Sequence, residues 1–137
     1  DVAGQRATLS GTCERMKQAG VEVSLFIAPD LPQVEASAAV GAGFIELHTG
    51  SYAEHFHRKR ERQVEIERLI AAANQAHGLG LKVNAGHGLN CENVALLHIV
   101  PHLVELNIGH SIVSRAVFVG LDAAVREMLK AMEGYAA

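Results

Sequence analysis

Strand-like and helix-like segments alternate along this chain, and this alternation limits the possible folds more than any other feature. Short apolar segments begin near positions 21, 43, 81 and 103, and segments with helical spacing lie between them. In repeated strand–helix units the strands run parallel, because each helix returns the chain to the same edge of the sheet. The sequence therefore predicts an α/β fold with four parallel strands.

Periodicity, together with residues that start or stop helices, gives the extent of each element. Asp30 followed by Gln33 predicts a capping box at the start of the second helix. Asn90 predicts the cap of a later helix. The predicted helices cover residues 7–19, 30–41, 54–77, 90–100, 111–119 and 121–132, and the predicted strands cover residues 21–27, 43–48, 81–84 and 103–108.

Polar and apolar residues alternate within each predicted strand, and this pattern favours a barrel. Strands in a doubly wound sheet are buried on both faces and read as continuous apolar runs. In a (β/α)8 barrel, one face of each strand meets the helices and the other lines the interior. A sheet with one solvated face remains an alternative. The residues expected to face the helices are Val21, Val23, Leu25, Ile45, Leu47, Leu81, Val83, Val104 and Leu106, and those expected inside are Glu22, Glu46, Lys82 and Glu105.

The length of the chain fits half of such a barrel. A complete barrel needs roughly 250 residues, whereas this chain has 137. An open half-barrel would leave two unpaired strand edges, which favour aggregation. We therefore expect residues 1–137 to be the C-terminal half of a single TIM-barrel domain, with strands five to eight of the barrel and the N-terminal half absent.

Composition indicates a globular protein and excludes several function classes. Hydrophobic residues make up 49% of the chain, charged residues 20%, and the net charge is -3. This mild acidity argues against nucleic-acid binding, and no apolar run is long enough for a membrane span. Cys13 and Cys91 lack the spacing of a zinc site or a disulfide framework. We expect a cytoplasmic protein without a metal.

Two loops with a glycine next to a histidine follow the last two predicted strands. His87 lies between Gly86 and Gly88, and Gly109 precedes His110. Glycine lets the backbone turn sharply and lets a ligand approach closely. A short extra helix after the last strand is where barrels often bind phosphate, and its first N–H groups, at Ser111 and beyond, would hold the anion. A simple turn before a helix is the alternative.

Three stretches of the sequence resemble one known family. They are residues 44–50 (Phe-Ile-Glu-Leu-His-Thr-Gly), 78–89 (Gly-Leu-Gly-Leu-Lys-Val-Asn-Ala-Gly-His-Gly-Leu) and 105–112 (Glu-Leu-Asn-Ile-Gly-His-Ser-Ile). With Tyr52 and Ala53, they resemble the pyridoxine 5′-phosphate synthase family, PdxJ. The resemblance covers essentially the whole chain, and the block Asn-Ala-Gly-His-Gly-Leu is its most specific part.

The resemblance implies a transferase of vitamin B6 biosynthesis that needs no cofactor. Its reaction condenses 3-amino-2-oxopropyl phosphate with 1-deoxy-D-xylulose 5-phosphate to pyridoxine 5′-phosphate, releasing phosphate and water. By their place in the matching motifs, His87 would be the proton donor and Glu46 the transition-state stabiliser, while Gly88, Gly109 and His110 would bind the aminoketone phosphate. The family also implies a homo-oligomer, an octamer. The proton-accepting residues belong to the absent half, so we expect this chain to be inactive alone.

Other interpretations of the same residues remain open. His48 shares a strand face with Glu46 and either lines the site or is a hydrogen-bonded barrel histidine. Glu46 is alternatively a structural partner of Lys82. A metal-dependent barrel hydrolase or isomerase would use Glu46, His48, His87 and His110 as ligands. A non-catalytic half-barrel would bind a phosphorylated ligand at Gly109 and His110 alone.

Overall fold

A four-stranded sheet with the strand order β1-β2-β3-β4 forms the centre of the computed structural model, which describes residues 1–135. Each neighbouring pair of strands runs parallel. The strands are β1 Ser24–Ile27, β2 Phe44–His48, β3 Lys82–Gly86 and β4 Leu103–Asn107. The predicted α/β fold with four parallel strands is confirmed.

Helices connect the strands and continue beyond β4. The α-helices are α1 Arg6–Gln18, α2 Leu31–Ala39, α3 Gly50–Glu54, α4 Lys59–Gly78, α5 His110–Val119 and α6 Leu121–Ala131. Two short 3₁₀ helices cover Ala3–Gln5 and Val94–Ile99. Most predicted helices match to within a few residues, and three predictions need correction.

The first correction concerns the helix predicted over 54–77, which is two helices in the structure. Glu54 ends α3, and the backbone of Arg58 is extended, so α4 begins only at Lys59. Thr49 before Gly50 is a possible helix start that the prediction did not use, and in the structure its side chain makes no cap hydrogen bond to α3.

The second correction concerns residues 90–100, where the regular part is a 3₁₀ helix over Val94–Ile99. Asn90 caps a turn and not the helix, whose N-cap residue is Asn93: Asn90 Oδ1 accepts hydrogen bonds from the N–H groups of Glu92 and Asn93 at 2.9 and 3.1 Å. The cap closes a turn before the helix and leaves too few residues for several α-helical turns.

The third correction concerns the capping box of Asp30 and Gln33, which does not form. Gln33 Oε1 instead accepts hydrogen bonds from the backbone N–H groups of Val2 and Ala3, at 2.7 and 3.2 Å. The Asp30 carboxylate pairs with Arg68 of α4 at 2.6 Å. Partners distant in sequence replaced the local hydrogen bonds of the motif.

The core lies between one face of the sheet and helices α2 and α4. Ile45, Leu47 and Val83 are fully buried on this face, and Ile66 and Leu69 of α4 belong to the same cluster. Burying each such side chain contributes about 1.5–3 kcal/mol, so this interface fixes the sheet against the helices. The helix-facing prediction is confirmed for Ile45, Leu47 and Val83.

Two residues predicted to face the helices are exposed instead. Val104 is 62% exposed because the pairing of β3 and β4 shifts there: Leu103 aligns with Val83, and Glu105 aligns with the next residue, Asn84. Val104 is therefore the extra residue of a bulge-like irregularity. Val21 is 52% exposed because it precedes the start of β1.

Candidate active site

The sheet face opposite the core carries a row of polar and aromatic side chains. In the strand register, Phe26, Glu46, Asn84 and Glu105 align across β1 to β4. His48, Gly86 and Asn107 align one level closer to the carboxyl ends of the strands. Residues two apart on a strand share a face, so this face presents a carboxylate, an amide and an imidazole side by side.

The Glu46 carboxylate is oriented by Asn107. The amide Nδ2 of Asn107 donates a hydrogen bond of 2.7 Å to Glu46 Oε2. A Cβ atom at Gly86 would lie 2.5 Å from Glu46 Oε1, so glycine is what allows the carboxylate to lie against β3. Gly86, at the end of β3, therefore leaves the space that the Glu46 carboxylate needs.

Lys82 does not pair with Glu46, and the structural alternative for Glu46 is wrong. The Lys82 ammonium lies 4.6 Å from the centre of the Phe44 ring, a cation–π geometry. Lys82, at the amino end of β3, aligns with Phe44, two residues before Glu46 on β2. The ion pairs within residues 1–135 likewise include none among Glu22, Lys82 and Glu105.

His87 projects from a backbone conformation that non-glycine residues rarely adopt. Its φ is 84°, and the following Gly88 has a φ of 77°. A left-handed backbone at a bulky residue is strained and persists where the surroundings hold it. Gly88 is required as well, because a Cβ atom there would lie 2.7 Å from the Cβ of Ala53.

The ring of His87 stacks on the ring of His48. Their centroids are 4.6 Å apart, and the Phe26 ring lies 5.1 Å from His48 and 6.4 Å from His87. Burial, followed by the charge of His87, lowers the pKa of His48 below its usual value, while the Glu46 carboxylate acts in the opposite direction. His48 Nδ1 also accepts a hydrogen bond from the N–H of Gly50 at 3.3 Å, and His48 and His87 together line a pocket beside Gly50 and Ala53.

The first turn of α5 faces the same space. Gly109 is the N-cap residue of α5 and has no side chain to cover the N–H groups of the first turn. Its carbonyl accepts a hydrogen bond from the N–H of Val113 at 2.9 Å. A Cβ atom at Gly109 would meet nothing within 4 Å, so the backbone there is open. The N–H groups of a first helical turn and the helix dipole favour an anion. This end of α5 has the chemistry of a phosphate site.

One cavity of about 710 Å³ brings the predicted residues together. It is lined by the five residues singled out from the sequence, Glu46, His87, Gly88, Gly109 and His110, and also by Phe26 and Asn107. Its volume lies in the range of small-molecule sites. The cavity therefore combines an imidazole, an oriented carboxylate and a helix N-terminus.

Sequence reasoning missed three residues around this cavity. Asn107 lies on the same strand face as Glu105, but only the register across β2, β3 and β4 brings it to Glu46. Phe26 reaches the cavity by the same cross-strand alignment. Thr49 is fully buried behind the His87 loop, and its only signal was its place directly after a strand.

No group of three or more histidine, cysteine, aspartate or glutamate side chains in residues 1–135 is arranged to hold a metal ion. The four-ligand set of Glu46, His48, His87 and His110 is accordingly not assembled as such a group. No helix in the same range is long and apolar enough to cross a membrane. Cys13 is buried and Cys91 is exposed, and both are free thiols.

The fold and the cavity place this chain in the class of α/β proteins that have a cavity at the carboxyl ends of parallel strands. The sequence matches the family described as pyridoxal phosphate biosynthesis protein PdxJ over residues 1–134, and the chain belongs to that family. The match includes every residue of the cavity described above. The family resemblance stated from the sequence is confirmed.

Several relatives in this family carry the name pyridoxine 5′-phosphate synthase. The relative from Akkermansia muciniphila is 54% identical over 134 residues, which cover 97% of this chain and 54% of the relative. Those from Opitutus terrae and a Synechococcus species are 52% and 54% identical, over 93% and 96% of this chain and 52% and 55% of their own lengths. The chain thus spans about half the length of the relatives it matches.

Proposed function

We propose that this chain supplies half of a (β/α)8 barrel, its strands five to eight, within a single domain. The sequential order of four parallel strands supports this, because a complete barrel continues the same order around a circle. The surface supports it too, since large apolar side chains are exposed on the inner face and on the last two helices. They include Phe26, Val117, Phe118, Leu121 and Leu129.

The activity we propose is that of pyridoxine 5′-phosphate synthase, a transferase. The reaction condenses 3-amino-2-oxopropyl phosphate with 1-deoxy-D-xylulose 5-phosphate, closes the pyridine ring and releases phosphate and water. One observation carries the proposal: Glu46, His87 and the start of α5 line a single cavity in a member of the PdxJ family. The reaction involves phosphorylated substrates and proton transfers. In this cavity the start of α5 would bind phosphate and His87 would transfer the proton.

His87 is the proton donor in this proposal. Loss of water and of a leaving group during ring closure requires a general acid, and a histidine is suited to that role near neutral pH. Glu46 lies in the same cavity, where a negative charge stabilises cationic imine character in the transition state. The hydrogen bond from Asn107 keeps the Glu46 carboxylate in one orientation.

Gly88, Gly109 and His110 form the site for the phosphate of the aminoketone. Gly109 offers an open backbone at the start of α5, and Gly88 brings a second backbone segment to the same cavity. Backbone N–H groups at a helix N-terminus bind phosphate without a metal. No cofactor is needed for this assignment.

The complete enzyme is a cytoplasmic homo-oligomer in this proposal, an octamer, and this chain alone has no synthase activity. The acid and the phosphate site lie in this chain, whereas the proton-accepting residues belong to the other half of the barrel. Co-expression of this chain with the part of the Akkermansia muciniphila relative that it does not match would test whether the catalytic groups are divided between the two halves of the barrel. Turnover should require both parts.

Replacement of His87 tests the assigned chemistry. In the complete protein, His87→Asn should retain binding of 3-amino-2-oxopropyl phosphate and lose most of the turnover. The matched control is His77→Asn, because His77 is an exposed histidine near the end of α4, before β3 begins. Unchanged turnover in His87→Asn would refute the proton-donor role. Phosphate-ligand binding without turnover in the unsubstituted complete protein would instead support a binding module.

A further inference from the structure

The backbone of the loop at residues 86–89 is held by the side chains of Thr49 after β2, of Asn93 further along the same connection as the loop, and of Ser111 in the first turn of α5. Its four successive carbonyl groups all accept hydrogen bonds from side chains. Thr49 Oγ1 lies 2.7 Å from the carbonyl of Gly86 and 2.6 Å from that of His87. Asn93 Nδ2 donates to Gly88 at 3.1 Å, and Ser111 Oγ donates to Leu89 at 2.7 Å.

Thr49 makes two of these four side-chain contacts. Its backbone N–H also donates to the Gly86 carbonyl, at 2.8 Å. Its side chain has no exposed surface, so water cannot replace these hydrogen bonds. Because a hydroxyl has one proton, the two carbonyls share it, and the left-handed His87 is fixed relative to the end of β2.

The hydroxyl of Thr49 is not used for the helix that it precedes. Threonine at the position before a helix usually caps it by accepting a hydrogen bond from the first turn. Here Thr49 occupies that position before α3, and its side chain makes no such bond. A purely local role would have directed the hydroxyl to α3, whereas this one is directed to the His87 loop.

Thr49 and its neighbour hold two different parts of His87. His48 stacks against the imidazole ring at 4.6 Å, and Thr49 binds the backbone carbonyl of the same residue at 2.6 Å. We propose that Thr49 is a positioning residue, which sets the direction of the His87 imidazole through the backbone of residues 86 and 87. The inference rests on the proposed role of His87 as proton donor.

Thr49→Val removes the hydroxyl and keeps the shape of the side chain. In the complete protein, kcat should fall on the order of ten- to a hundredfold, because small displacements of a reacting group have effects of this size. KM for the phosphorylated substrates should change little, since the start of α5 is untouched. Thr49→Ser keeps the donor and should recover most of the turnover.

Ser37→Ala is the matched control. Ser37 is also fully buried and also donates its hydroxyl to a backbone carbonyl, that of Gln33 at 2.8 Å, but it lies within α2 away from the cavity. The control should lower thermal stability and leave kcat unchanged. If Thr49→Val does not fold, Thr49→Cys provides a side chain of similar size with a weak donor, and it should show the same loss of kcat.

Amide hydrogen exchange at residues 86–89 gives a readout that does not depend on synthase activity. Exchange in this loop should be faster in Thr49→Val than in the unsubstituted protein and unchanged in Ser37→Ala. If the complete protein has no synthase turnover, the proposed function fails, while exchange still tests whether Thr49 holds the backbone of residues 86 and 87. A folded Thr49→Val protein with unchanged kcat and exchange would overturn the inference, as would a Thr49→Ser protein as impaired as Thr49→Val.

Discussion

The imidazole rings of His48 and His87 stack with their centroids 4.6 Å apart and their planes inclined by 27°. Two protonated imidazoles at this distance repel each other, and the charge of His87 accordingly lowers the pKa of His48. Burial acts in the same direction and is the larger cause. Both causes favour the neutral form of the His48 ring.

Substitutions of the two charged neighbours should move the pKa of His48 in opposite directions. His87→Asn removes a cause that lowers this pKa, so the value should rise towards that of an ordinary histidine. Glu46→Gln removes the charge that raises it, so the value should fall further. NMR titration of the histidine ring resonances measures both shifts. Shifts of the same sign in the two variants would contradict the assigned causes.

Gly86→Ala should displace Glu46 and lower stability. The added methyl group would lie 2.5 Å from Glu46 Oε1 and 2.8 Å from the Asn107 carbonyl, and such overpacking typically costs about 1–3 kcal/mol. The matched control is Gly11→Ala within α1, where a Cβ atom meets nothing within 4 Å. The control should gain roughly 0.5–1 kcal/mol, because alanine favours helix. Denaturant unfolding and turnover of both variants in the complete protein test this, and equal stability would argue against the close approach.

Gly109→Val should weaken phosphate binding without loss of folding. The backbone of Gly109 has a negative φ of -116° and open space at its Cβ position, so the side chain fits but blocks the approach of an anion. Gly88→Ala is the contrasting variant, because it combines a φ of 77° with a Cβ contact of 2.7 Å and should lower stability. Calorimetry with 3-amino-2-oxopropyl phosphate and thermal unfolding separate the two effects. Unchanged affinity in Gly109→Val would contradict the phosphate site.

The sequence was sufficient for features that depend on local periodicity. Alternation in 43–48 placed Glu46 and His48 on one face and Ile45 and Leu47 on the other, and the structure has the same arrangement. The glycines around His87 and before His110 indicated loops at the carboxyl ends of strands, and the cavity contains both loops. These features depend on neighbours within a few residues.

The remaining features depend on contacts between distant parts of the chain. Lys82 is an alternative partner of Glu46 by sequence, but the register gives that role to Asn107, which is 61 residues away from Glu46. Val104 was expected to be buried, and an irregular pairing with β3 exposes it. The sequence places Thr49 directly after β2 and does not indicate its hydrogen bonds to the His87 loop. Strand register and bulges are set by packing across the sheet, which a single sequence does not reveal.

The bond between Glu46 and Asn107 also bears on how the protein folds. These residues lie on β2 and β4, which do not pair with each other and are joined only through β3. We therefore expect the contact to form only after β3 has paired with both β2 and β4, because it requires two separate loop closures. Contacts of large sequence separation slow folding. During refolding, the acid–amide pair should accordingly appear after the packing of α4 on the sheet, which makes it a marker of the last step in assembling the cavity.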